Sequence, residues 1–407
     1  MATTREQAEL SRTRLVLAIS ALAVGGFGIG TTEFVTMGLL PDIAAGIDVS
    51  IPSAGHAISA YALGVVVGAP LIAAVGATWP RRAMLIGLMV LFAVGNVASA
   101  MAGGPLTLDA ARFLAGLPHG AYFGVAALVA ASLVPEGRRA KAIAGSMLGL
   151  PIANVIGVPA ATWFGQQFGW RSAYAAIAVI GLVTIAALLI WLPHQPPCLD
   201  ATARRELDAL RQGQVWLTLA VGTVGFGGMF AMYSYIAPTM TDLAGLEARW
   251  MPLVLGAYGL GMVAGIVLGG HLVDRSLPRS LVGSLVAIGA LLAAFTVAAR
   301  DPIAASVTLF LLAVAASIQV LALQVRLMDV ATHAQTLAAA LNHAALNAAN
   351  ALGAWLGGLA IAAGLGYAAP SWVGVGLAAA GLCILTYSLA LDRSRRRASV
   401  PTPTPRP

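Results

Sequence analysis

Charge is scarce in this 407-residue chain: only 10% of its residues are Asp, Glu, Lys or Arg, against 59% that are apolar. A soluble domain carries about 25% charged and about 45–50% apolar residues, so this chain cannot cover its own surface in water. That excludes a cytosolic enzyme and a disordered protein. Cysteine is scarcer still. Cys198 and Cys383 stand far apart with no CxxC or CxxH nearby, which excludes a disulfide framework and a zinc site. Neither HExxH nor GxSxG occurs, and no His, Cys and Asp cluster has metal-ligand spacing, so a membrane-embedded enzyme is not expected. The net charge of +7 points to nucleic acid in a soluble chain. Here the placement of the basic residues points to a membrane instead.

What the chain has in abundance is long apolar runs. Crossing ~30 Å of hydrocarbon takes about 20 largely apolar residues. Charge clusters and Pro/Gly turns divide the chain into twelve such stretches, at roughly 15–40, 53–76, 83–102, 106–134, 141–164, 172–192, 215–240, 251–273, 280–299, 303–327, 337–362 and 371–391. The first is too long for a signal-peptide core and is read as a span. Nineteen Lys and Arg fall in the tails and the loops on the N-terminal side, and three (Arg171, Arg249, Arg300) on the other; Arg112 lies within a span. Lys/Arg excess marks the cytoplasmic side. The expectation is a multi-pass protein of a bacterial cytoplasmic (inner) membrane, with both termini in the cytoplasm.

A repeat divides the spans in two. Tyr61-Ala-Leu-Gly-Val-Val-Val-Gly68 returns 197 positions later as Tyr258-Gly-Leu-Gly-Met-Val-Ala-Gly265, and the same shift carries Pro41 onto Pro238 and Arg82 onto Arg279. A shift of 196 carries Ala153-Asn154-Val155-Ile156-Gly157 onto Ala349-Asn350-Ala351-Leu352-Gly353. The expected fold is all-α, with twelve transmembrane helices in two parallel six-helix halves at 1–193 and 215–392. A linker at 194–214 contains a charged surface helix over 203–211, and a basic, Pro-rich tail occupies 393–407. Parallel repeats of this kind are a transporter architecture, with substrate held near the midplane between halves.

Polar residues within the spans are the candidate sites. Glu33 is the only acid well inside an apolar span. An unpaired carboxylate there costs about 2.5–3.5 kcal/mol or more, so Glu33 should face a watery cavity, be protonated or have a partner. Two readings stand: a proton-coupling or substrate-contact residue, and a structural hydrogen-bonder nearer the headgroups. Arg112 shares a helix face with Gly116 and His119. It either sits close to Glu33, where a guanidinium that cannot deprotonate would favour loss of the acid's proton, or snorkels to the interface. In span eleven His343, Asn347 and Asn350 form a polar stripe that should face the bundle interior, either lining a cavity or gluing helices. Span five offers Asn154 with Gly149, Gly157 and Pro159, a set suited to close packing and a bend. Tyr233 and Tyr235 either touch ligand or belong to the interfacial aromatic belt, and the belt is the expected place.

Gly270-His-Leu-Val-Asp274-Arg275-Ser-Leu-Pro-Arg279 resembles the loop signature of the major facilitator superfamily, which recurs after helices two and eight. The resemblance implies that Asp274, Arg275 and Arg279 form a cytoplasmic charge cluster that helps hold the outward-facing state. In the first copy Arg81 and Arg82 remain, but Ala77 stands where the aspartate is expected, so that gate must be held differently. Arg112 with Gly116 and Gly120 resembles the family's helix-four motif, which implies a part in proton coupling. Span five is similar to the antiporter motif, with Gly157-Val-Pro159 in place of an adjacent Gly-Pro. Thr-Glu-Phe-Val-x-x-Gly-Leu-Leu-Pro-Asp in span one resembles the twelve-span drug and sugar efflux branch. These likenesses imply a transporter that alternates access to one cavity, uses a proton gradient and no cofactor, and works as a monomer in a lipid bilayer on a small amphipathic molecule. No nucleic acid is involved. Import or facilitation of a sugar or nucleoside is the alternative, and a membrane-embedded enzyme or sensor the remote one.

Overall fold

The computed structural model describes residues 11–76, 79–135, 138–194, 212–330 and 335–398. Among them are 12 helices long and apolar enough to cross a membrane. Spans one to six are Arg12–Gly38, Ile51–Ala69, Arg81–Ala100, Pro105–Ser132, Ala142–Phe168 and Trp170–Trp191. Spans seven to twelve are Gly213–Tyr233, Ala248–Arg275, Leu277–Ala298, Pro302–Val330, Leu341–Ala362 and Ala369–Asp392. The expected linker helix over 203–211 lies outside the described residues, as does Ala77. The helix of span twelve runs on through Ala398, so the tail expected from 393 begins as helix.

Helix starts follow local chemistry. The Ser11 side chain accepts from the Arg14 amide at the head of span one. Asp301 Oδ1 accepts from Ala304 N at 2.7 Å ahead of Pro302. At span four, Gly104 N donates to Thr107 Oγ1 and Pro105 takes the first position, where its missing N–H costs nothing.

The two halves are packed alike. Span one lies on six, two on four, and three on both four and six; seven lies on twelve, eight on ten, and nine on both ten and twelve. Between the halves, two packs on eleven and five on eight. The repeated Tyr-x-x-Gly-x-x-x-Gly explains the closest of these contacts. A Cβ on Gly64 would lie 2.2 Å from the Phe113 carbonyl oxygen and one on Gly68 2.0 Å from that of Leu117. In the second half, Gly261 and Gly265 stand 2.5 and 2.4 Å from the carbonyls of Phe310 and Val314 in the same sense. Both partners are displaced by the same 197 positions, so the repeat is one helix seam used twice. Gly64→Val and Gly261→Val should therefore each cost about 3 kcal/mol, and by similar amounts, read as a fall in thermal midpoint of the purified protein.

A crevice of about 1110 Å³ lies in the first half between spans one, four and five, lined by Arg12 and Arg138 at one end and also by Phe27 and Ile152. On span one, exposed or half-buried residues recur as far as Phe27, and every residue from Gly28 through Gly38 is buried. On span seven the last half-buried residue is Val224, and everything from Gly225 through Met240 is buried. Val224 is Phe27 displaced by 197, so the accessible residues end at the same register on both helices. The far face is closed by contacts between halves. Gln166 Nε2 donates to the Ala248 carbonyl at 2.8 Å, Phe34 meets Tyr233 edge-on at 6.0 Å, and Ser59 Oγ donates to the Ala351 carbonyl at 3.2 Å.

Charged groups at the accessible end of these helices differ from expectation. Asp274, Arg275 and Arg279 are exposed, and among the described residues they form no ion pair. The expected cluster is thus not assembled in this conformation. In the first half Arg82 donates to the carbonyls of Leu188 (3.4 Å) and Leu189 and meets His194 Nδ1 at 2.8 Å. It thereby caps the last turn of span six, where the helix dipole favours a cation, in the half whose loop lacks the aspartate. Arg81 is half-buried at the start of span three. Arg326, counted above among loop charges, is instead buried near the end of span ten. Its Nη2 lies 2.5 Å from Asp392 Oδ2, 3.1 Å from Ser388 Oγ and 3.3 Å from Gln214 Oε1. A guanidinium this enclosed needs several acceptors, and they come from spans seven and twelve. The basic bias becomes eighteen against three. Asp392→Asn should cost about 1–3 kcal/mol, measurable as a lower thermal midpoint.

Candidate functional site

Capping decides the depth of Arg112. Because the helix begins at Pro105, Arg112 stands seven residues in, about 10 Å along the axis at 1.5 Å per residue, and it is 0% exposed. The snorkelling alternative is thereby excluded. Its Nη1 donates to Thr32 Oγ1 and its Nη2 to the Thr32 carbonyl, each at 2.8 Å. Thr32 Oγ1 in turn donates a hydrogen bond to Asn96 Oδ1 at 2.6 Å, and Asn96 Nδ2 donates to the Phe92 carbonyl. Spans four, one and three are thus tied in series. The guanidinium carbon lies 4.4 Å from the ring centre of Tyr61 and 5.2 Å from that of Tyr174, faces that attract a cation. Only Nε, buried, has no partner.

Glu33 follows Thr32 directly and is 7% exposed. It forms no ion pair with Arg112 in this conformation, yet it lies within that cation's field and within electrostatic reach of Tyr61, Tyr233 and Tyr258. It lies six residues beyond Phe27, about 9 Å past the last accessible residue of span one.

Tyr233 and Tyr235 are each 1% exposed, which overturns the expectation of an interfacial belt. Tyr233 stacks on Tyr258 at 4.1 Å, and Tyr235 Oη donates to the Ala354 carbonyl at 2.8 Å. The reason is that span seven closes against spans eight and eleven at its far end rather than against lipid.

His119 is 2% exposed, and its Nδ1 pairs with Tyr61 Oη at 3.0 Å. Its ring lies 6.3 Å from that of His343 in the other half, and Phe123 stacks on His343 at 5.7 Å and 6°. Asn347 Nδ2 bonds only the His343 carbonyl of its own helix, and Asn350 bonds nothing among the described residues. These two side chains therefore glue no helices. Asn154 Nδ2 bonds its own Leu150 carbonyl at 3.1 Å, and its backbone carbonyl marks the closest approach to Gly259 of span eight. Gly149 sits against the Ala23 carbonyl, and residues Ala153–Gly157 form one wide π turn before Pro159. Pro159, just after this turn, cannot donate to the carbonyl four residues earlier.

Glu33, Arg112, His119, Tyr233 and His343 are thus brought toward the junction of the halves, whereas Asp274, Arg275 and Arg279 stand apart on the surface. Sequence reasoning missed Thr32, Asn96, Tyr61 and Tyr258 as site residues. The last two lay in plain view as equivalent positions of the repeat, and Asn96 is a lone amide in an otherwise apolar span.

The sequence profile of the Major Facilitator Superfamily matches residues 22–341. The chain is 43% identical over 366 residues to the inner membrane transport protein YdhP of Escherichia coli (strain K12), covering 90% of this chain and 93% of that one. It is 33% identical over 374 residues to the chloramphenicol resistance protein of Streptomyces lividans, covering 90% and 95%. Among solved structures, the xylose transporter XylE of E. coli in a partially occluded inward-open conformation superposes with a TM-score of 0.72 at 15% identity, over 92% of this chain and 98% of that one.

Proposed function

This chain belongs to the Major Facilitator Superfamily and is a secondary transporter of a small molecule across a lipid bilayer, and from that premise we propose that it is a proton-driven exporter. The observation that carries this reading is Glu33. It is a buried acid set about 9 Å beyond the last accessible residue of span one, within the field of an arginine that cannot give up its charge. Protonated, Glu33 is tolerated in the closed protein; ionised, it has the free Nε–H of Arg112 to turn to. Protons taken from the outer side and released inward are exchanged for substrate moving out.

The basic bias supports a cytoplasmic position for the accessible end of spans one and seven and for both termini, in the inner membrane as YdhP's name states for that protein. The conformation is then inward-facing, which accords with the unassembled Asp274–Arg275–Arg279 cluster. The bodies that rock are residues 1–193 and 215–392, turning on the span two–eleven and five–eight contacts, with the π turn before Pro159 as the flexible point of span five. A single chain supplies both walls, so the working unit is a monomer. The likeness to the chloramphenicol resistance protein supports export of a drug-like molecule. Expression in a strain stripped of its own pumps should lower steady-state accumulation of the exported compound, and a protonophore should restore it. Accumulation that rises on expression and collapses with the protonophore would mean import.

A further inference from the structure

Span eleven carries hydrogen-bonding groups that the fold leaves unused. His343, Asn347 and Asn350 share one helix face, and the stacking of His343 on Phe123 turns that face toward the first half. Asn347 is 4% exposed and Asn350 0%. Among the described residues, Asn347 Oδ1 and both polar atoms of Asn350 have no partner. A buried amide left unpaired is costly, and an apolar residue of the same shape would avoid the cost. The groups nevertheless stand at the junction of the halves, in the region where transport requires a ligand to bind.

The charge of that ligand follows from the other wall. Arg112 is a permanent cation and already occupies the faces of Tyr61 and Tyr174. While Glu33 is protonated and offers no counter-charge, an organic cation entering here meets repulsion and finds those faces taken. The aromatic faces that this cation does not cover are the outer faces of the Phe123–His343 pair and of the Tyr233–Tyr258 pair, whose inner faces stack on each other.

We propose that the Asn347–Asn350 stripe is the recognition wall for an uncharged substrate, a flat apolar body carrying an amide or hydroxyl groups. Its acceptor oxygen takes the Asn350 Nδ2 protons, its donors meet the Oδ1 atoms of Asn347 and Asn350, and its flat part lies on Phe123 and His343. This assignment rests on the transport path running between the halves, but not on proton coupling or on the direction of transport.

The test uses the full chain in lipid nanodiscs, with chloramphenicol and thiamphenicol as neutral probes and tetraphenylphosphonium as a cation of comparable bulk. Saturable binding of at least one neutral probe is expected, with Asn350→Leu and Asn347→Leu each weakening it about tenfold. The thermal midpoint of the unliganded Asn350→Leu protein should hold or rise, because an unpaired amide gives way to an apolar isostere. The assignment is overturned if tetraphenylphosphonium binds more tightly than both neutral probes, or if neither neutral probe saturates at millimolar concentration. It is equally overturned if both Leu variants bind within about twofold of the parent, or if Asn350→Leu lowers the midpoint sharply, which would make the amide structural. Loss of proton coupling alongside intact neutral binding would count against the export reading alone.

Discussion

Glu33→Gln should reduce uphill, proton-driven transport to background, a loss on the order of a hundredfold, equivalent to about 2.7 kcal/mol. The glutamine keeps the shape and the hydrogen-bonding capacity of the protonated acid, so folding should be untouched: monodisperse elution and thermal midpoint should match the parent. The measurement is substrate flux in proteoliposomes with an imposed proton gradient. Uphill transport at the parental rate would remove Glu33 from coupling and leave it as a structural hydrogen-bonder.

Arg112→Leu should be more damaging, because it strikes the fold as well as the chemistry. Two hydrogen bonds to Thr32 disappear and the series through Asn96 loses its charged end. Losing hydrogen bonds to a charged donor costs about 1.5–3 kcal/mol, so both the folded yield and the thermal midpoint should fall. Arg112→Lys separates the two roles. It keeps the charge but cannot present a fork to the hydroxyl and carbonyl of one residue, so stability should recover in part while coupled flux stays low. Coupled flux at the parental level in Arg112→Lys would show that a point charge suffices.

Much of the architecture was legible before any coordinates. Span count and the twofold repeat depend on local hydropathy and on spacing, and both are properties of a string. Glu33 stood out for the same reason, as an acid in a run that should not contain one. What stayed hidden was set by contacts or by where a helix begins. Arg112 was ambiguous because its depth depends on the Gly104–Thr107 cap and Pro105, and a shift of two turns turns snorkelling into burial. Tyr233 and Tyr235 looked interfacial because position along a helix says nothing about which neighbour covers its end. Arg326 was counted as a loop charge because its partners Gln214, Ser388 and Asp392 come from distant parts of the chain. The stripe on span eleven could be seen but not interpreted, since gluing and lining differ only in whether a partner is present.

The most direct test of coupling is a proton measurement. Inverted membrane vesicles are energised to acidify their interior, the exported compound is added outside, and interior pH is followed with a quenched dye. The account predicts that the compound drives protons out, with recovery of fluorescence that saturates with concentration and is absent in Glu33→Gln. Transport of the compound with no accompanying proton movement would contradict it and leave a facilitator.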